Sequence, residues 1–75
     1  MDIPNVVRNA LWAQASDPRE ADIIANGRLA ILPPLRVATL ALNAAVSQPD
    51  NSAGRHLAVA LMKLAQTSLR LFGRI

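Results

Sequence analysis

From the start of the chain, apolar residues recur at helical spacing. Ile3, Val6, Val7, Ala10 and Leu11 share one face of a helix expected over residues 4–15, and Asn5, Arg8, Asn9 and Ser16 share the other. Pro4 suits the first turn, where its missing N–H would have no partner in any case. Trp12, the sole tryptophan, comes two helical turns after Asn5 and so falls within the polar face.

The stretch Ser16-Asp17-Pro18-Arg19-Glu20 reads as a helix start. Asp17 is placed to cap, Pro18 takes the first helical position, and Glu20 stands where a capping box needs an acid. The second helix continues through Ala21–Asn26. Its end has two readings: Gly27 offers a left-handed stop, but the apolar pattern runs on through Leu29–Leu32. Pro33 disfavours helical backbone at Leu32 and ends the segment there at the latest.

A third helix is expected from Pro34 or Leu35 to Ser47. Its polar positions are Arg36, Thr39, Asn43 and Ser47, a single narrow stripe. The rest is Leu, Val and Ala; a helix apolar over most of its circumference is ordinarily covered on several sides, but a chain this short has few elements to cover it. Residues 47–54 read as a loop in which Asp50, Asn51 or Ser52 caps a fourth helix reaching Phe72. On that helix Leu57, Leu61, Leu64, Ser68, Leu71 and Ile75 alternate in steps of four and three, a seam suited to another helix. Ala58, Met62, Ala65, Leu69 and Phe72 widen the seam. His56, Lys63, Thr67, Arg70 and Arg74 occupy the opposite face. The expected fold is all-α: one domain over residues 1–75, with three to four short helices in a bundle or orthogonal array.

Composition narrows the function classes. The chain is 52% hydrophobic but only 3% aromatic, and alanine and leucine dominate. That argues against intrinsic disorder, since disordered chains are poor in apolar residues. Seventy-five residues bury a marginal core, and natural proteins of this size often add disulfides, a metal or oligomerisation. With no cysteine and one histidine, the first two routes are closed, so no metal or other cofactor is expected. Helix packing, self-association and a protein partner remain.

Catalysis has little to work with. His56 is the single side chain with an ordinary pKa near neutrality, and Ser47, Ser52 and Ser68 lack an acid–base partner at a recognisable spacing. The acids Asp17, Glu20 and Asp22 gather at a helix start, where they favour the helix dipole without any catalytic role. The chain is not expected to be an enzyme.

Charge is uneven. The net charge is +3; residues 1–25 hold four acids against two arginines, whereas residues 51–75 hold Arg55, Lys63, Arg70 and Arg74 with no acid. The long apolar stretch 29–46 contains Pro33, Pro34, Arg36 and Asn43, so integral membrane insertion is not expected. The start carries no secretory leader pattern, and with the absence of cysteine this sets the expectation of a cytoplasmic protein.

The leading expectation is a non-catalytic interaction module, such as a small accessory subunit, adaptor or inhibitor. It would self-associate or dock on a larger protein through apolar helix faces, with Trp12, Leu57, Leu61, Leu64 and Leu71 as contacts. The alternative is a small nucleic-acid-binding regulator acting through the basic face of Lys63, Arg70 and Arg74. A further alternative is a membrane-associated or assembly-forming helical hairpin.

Overall fold

A computed structural model describes residues 3–74. Within them the chain forms four α-helices and no strand: α1 (Asn5–Trp12), α2 (Pro18–Ala25), α3 (Pro34–Val46) and α4 (Ser52–Phe72), with a short 3-10 helix, Leu29–Ile31, between α2 and α3. This is the small all-α architecture that the periodicity predicts. Ile75, the last member of the expected seam, lies outside the described residues.

The local signals set the ends of the helices. Pro4 is the cap of α1 rather than its first residue, and α1 is shorter than expected, giving way to turns after Trp12. Asp17 is extended and its carboxylate accepts the Glu20 N–H at 2.7 Å. Gly27 has φ +69, the left-handed conformation that glycine adopts without a Cβ penalty. Around it the Arg28 amide bonds Ile23 O and the Gly27 amide bonds Ile24 O, the paired bonds of a Schellman motif. The second helix therefore stops before Gly27, and Leu29–Ile31 forms a separate turn. Asn51 is the cap of α4, its side chain accepting the Gly54 N–H at 2.8 Å.

The short connection between α3 and α4 makes them an antiparallel hairpin. Ala38, Ala41, Ala44 and Ala45 on α3 and Gly54, Leu61, Leu64 and Ala65 on α4 are buried. α1, α2 and the 3-10 helix supply Val7, Leu11, Ile24 and Leu29 to the same core, and α1 touches both long helices.

The polar stripe of α3 has a partner that the sequence pattern does not name. Arg36 forms a two-pronged pair with Glu20, both N–O distances being 2.8 Å, and Glu20 Oε1 also accepts the Ser16 amide at 3.0 Å. The capping box is thus displaced: Glu20 reaches Ser16 rather than Asp17, and its main charge partner lies on another helix. The hydrogen bond from Arg36 is the chief cause that draws the Glu20 carboxyl from 4.5 down to about 2; the Ser16 amide adds to it, and burial opposes both. Because the folded pKa lies below the unfolded one, the pair stabilises fully above about pH 5 and the contribution is lost as pH falls toward 2. A hydrogen-bonded charge pair of this kind contributes on the order of 1–3 kcal/mol. Acid unfolding of the wild type is expected to steepen below pH 5. The Glu20→Gln variant should be less stable at pH 7 and show a flatter profile over the same range, read by far-UV circular dichroism.

Candidate interaction surface

The helical geometry of the hairpin sorts its side chains. Each residue turns the helix by about 100°. With Ala41 and Leu61, both fully buried, set as the positions facing inward, Val37, Leu40 and Ala44 on α3 and Leu57, Leu64 and Leu71 on α4 project to one side. That side is the one covered by α1 and the 3-10 helix. Leu35, Leu42 and Val46 on α3 and Met62 and Leu69 on α4 project to the other side, because antiparallel neighbours with the same sense of rotation match. All five are between 43% and 83% exposed, and the exposed polar side chains Arg55 and Gln66 of α4 turn to the same side. Between the two rows runs a strip of small residues, Ala38, Ala45, Ala58 and Ala65. Among the described residues, no element covers that side of the hairpin.

α3 is thus covered on fewer sides than a helix of its composition ordinarily is. Ala38, Ala41, Ala44 and Ala45 are covered by α4, but no described element lies against the outer leucines. The seam also divides differently. Leu61 and Leu64 are buried in the chain's own core and Leu57 is half-buried, so in this fold they are not free to face a partner. Leu71 stays exposed, as does Phe72 beside it.

Leu71 borders a cavity of about 200 Å³ at the other face of the hairpin, walled by Leu29, Ala30, Leu32, Pro34, Val37 and Leu64. Ser68 is its one polar lining residue, and no charged group lines it to orient a ligand. Trp12 is more than half exposed and borders a shallow depression with Arg8, Asn9 and Ala25. The Pro33-Pro34 corner borders other cavities, not that one.

The basic residues occupy the outer surface of α4. His56, Lys63, Arg70 and Arg74 are exposed, and none of the salt bridges among the described residues involves Lys63, Arg70 or Arg74. Arg55 makes a long 3.5 Å contact with Asp50 between two well-exposed side chains, an arrangement that contributes little. His56 places Nδ1 2.7 Å from the Ser52 carbonyl, on its own helix. On α3, Arg36 is held by Glu20 and the Thr39 hydroxyl donates to Leu35 O, which leaves Asn43 as the one uncommitted polar side chain of that stripe before Ser47. Among the described residues no group of three or more His, Cys, Asp or Glu side chains could hold a metal. No helix among them is long and apolar enough to cross a membrane.

Comparison with known proteins finds no matching family model, no matching curated protein and no matching solved structure.

Proposed function

We propose that the chain is a non-catalytic protein-interaction module that engages another polypeptide through the bare side of the α3–α4 hairpin. The observation that supports this reading is the row of Leu35, Leu42 and Val46 facing Met62 and Leu69 across an alanine strip, all five large side chains exposed. Large apolar side chains exposed together on one side of a small domain are a common mark of interaction sites. The reading requires that the face be bare in the free chain and not a hidden part of its core. Leu42→Glu combined with Met62→Glu tests this. The double variant is expected to keep its helical spectrum, and its monomer stability should change by less than about 1 kcal/mol, as for surface substitutions generally. Loss of cooperative unfolding overturns the reading, provided the wild-type midpoint does not depend on protein concentration.

A second reading rests on Lys63, Arg70 and Arg74, which form an outward basic row. If they bind nucleic acid, three phosphate contacts give a log–log salt slope of about −2.7 on duplex DNA. The interaction-module reading predicts no such binding near physiological salt. Fluorescence anisotropy with labelled duplex and single-stranded oligonucleotides decides between them. Binding that disappears in Lys63→Glu with Arg70→Glu would favour the nucleic-acid regulator.

A further inference from the structure

We propose that the cavity beside Ser68 is a binding site for a small neutral molecule: a hydrocarbon body of about six to eight carbons bearing one hydroxyl or carbonyl group, held by a hydrogen bond to Ser68. The site lies on the other side of the hairpin from the outer leucines and does not depend on the reading of that face.

The cavity follows from one residue of the α4 seam. Leu57, Leu61, Leu64, Ser68 and Leu71 keep the steps of four and three, and Ser68 alone among them lacks a long apolar side chain. Because α3 and α4 are antiparallel, the start of α3 lies beside the end of α4, and the 3-10 helix contributes a third wall. A leucine at this position would fill the space between the three elements. The short serine leaves about 200 Å³.

Two observations point to a ligand. The first is the Ser68 hydroxyl. Ser68 is only 4% exposed. Thr39, Ser47 and Thr67, all exposed, each donate to the carbonyl four residues earlier, at 2.9, 2.8 and 3.0 Å. Ser68 makes no such bond, and its hydroxyl has no partner among the described residues. Its oxygen is not sealed in protein either, because every fully enclosed side-chain N or O among them has a partner. It opens instead to the cavity that Ser68 lines. A hydroxyl withdrawn from bulk water and left unpaired is costly, and a ligand group that bonds it removes that cost. A water molecule would find Ser68 as its single polar side-chain partner there, where an ordered buried water takes about two to four partners.

The second is the size and chemistry of the walls. Leu29, Val37 and Leu64 are buried and form an apolar floor; Ala30 and Leu71 are exposed and form the mouth. The volume exceeds the roughly 150 Å³ of an apolar cavity that holds benzene. It falls below the roughly 300 Å³ at which pockets for drug-sized ligands begin. Those two bounds set the size of the ligand. No charged group lines the cavity, so a carboxylate or ammonium placed in it would lose its hydration without gaining a partner. The ligand is therefore neutral, and a single wall hydroxyl calls for a single polar group.

An amide NMR titration of isotope-labelled protein with benzyl alcohol, toluene and benzoate tests this, since the three share a ring and differ in the polar group. Benzyl alcohol is expected to shift the amides of Leu29, Leu64 and Leu71 saturably, with a Kd of about 0.1–1 mM. The amides of Leu42 and Met62, on the outer face, should stay in place. Toluene should reach the same residues, and benzoate should bind about tenfold more weakly than benzyl alcohol, or less. Ser68→Ala keeps the cavity and removes the hydroxyl. It should be no less stable than the wild type, because no bond within the fold is lost, and it should weaken benzyl alcohol relative to toluene by about three- to tenfold. Ser68→Leu should abolish binding of both. The proposal is overturned by the absence of a saturable shift at the cavity amides, by benzoate binding as well as the alcohol, or by an alcohol-to-toluene ratio that Ser68→Ala leaves unchanged. Binding retained by a folded Ser68→Leu protein would also overturn it. So would a marked loss of stability in Ser68→Ala, which would assign the hydroxyl to a bond within the fold.

Discussion

Gly54→Ala is expected to destabilise the domain by about 2–3 kcal/mol, even though alanine is the better helix former by about 1 kcal/mol. Gly54 lies in the first turn of α4, buried under the Pro49 carbonyl, and a Cβ added there would overlap that backbone oxygen. The oxygen cannot yield like the tip of a long side chain. It accepts the Asn51 amide at 3.0 Å, and Asn51 in turn accepts the Gly54 amide as the cap of the helix. Moving the turn therefore strains the packing and weakens the cap, effects of about 1–3 and about 1 kcal/mol. For a domain of this length such a loss lowers the melting temperature by about 10–20 °C. Thermal unfolding by circular dichroism measures it. A variant as stable as the wild type would show that the Pro49–Asn51 turn can shift without cost.

Leu61→Ala is expected to have the larger effect, about 3–5 kcal/mol. Leu61 is fully buried in the middle of α4 and is among the largest side chains of the core. Around it the core contains many alanines, including Ala38, Ala41 and Ala65, which have no length with which to close a void. Incomplete collapse places the cost in the upper part of the range seen for leucine truncation. A domain of this length has roughly 4–11 kcal/mol of stability in total, so Leu61→Ala should be partly unfolded at 37 °C. Leu69→Ala is the matched comparison on the same helix. Leu69 is exposed on the bare face, and its loss should change monomer stability by less than about 0.5 kcal/mol. Urea titration of the two variants separates the core from the exposed face. Equal losses would place Leu69 in the core as well.

Much of the fold was legible in the sequence because its helix boundaries are chemical. Asp17-Pro18, Pro33-Pro34 and Asn51 mark helix starts, and Gly27 marks a stop through the one conformation it adopts more easily than other residues. The doubt over whether α2 continues past Gly27 came from hydrophobic periodicity, which runs through Leu29–Leu32. Those residues do bury apolar surface, but from a separate 3-10 turn. The Glu20–Arg36 pair was not legible. Glu20 has a sufficient local role in a capping box, and its partner lies sixteen residues away on another helix. The one hint was Arg36 itself, an arginine within a helix that is otherwise leucine, valine and alanine.

The candidate surface was legible only in part. Periodicity shows that α3 and α4 each have a wide apolar arc, and it correctly implies that a chain this short has few elements to cover them. It does not say which portion of each arc stays uncovered. That was decided by where α1 and the 3-10 helix came to rest. They cover the side bearing Leu40, Leu57 and Leu64 and leave the side bearing Leu42, Met62 and Leu69 open.

The sequence by itself determined the helical class, most of the helix ends and the separation of a basic outer face on α4, because capping, glycine conformation and side-chain periodicity act over one or two turns. Tertiary structure alone decided which leucines form the core, which pair neutralises Arg36 and which side of the hairpin is bare. Those outcomes depend on distances between segments far apart in the chain, and a local pattern carries no information about them.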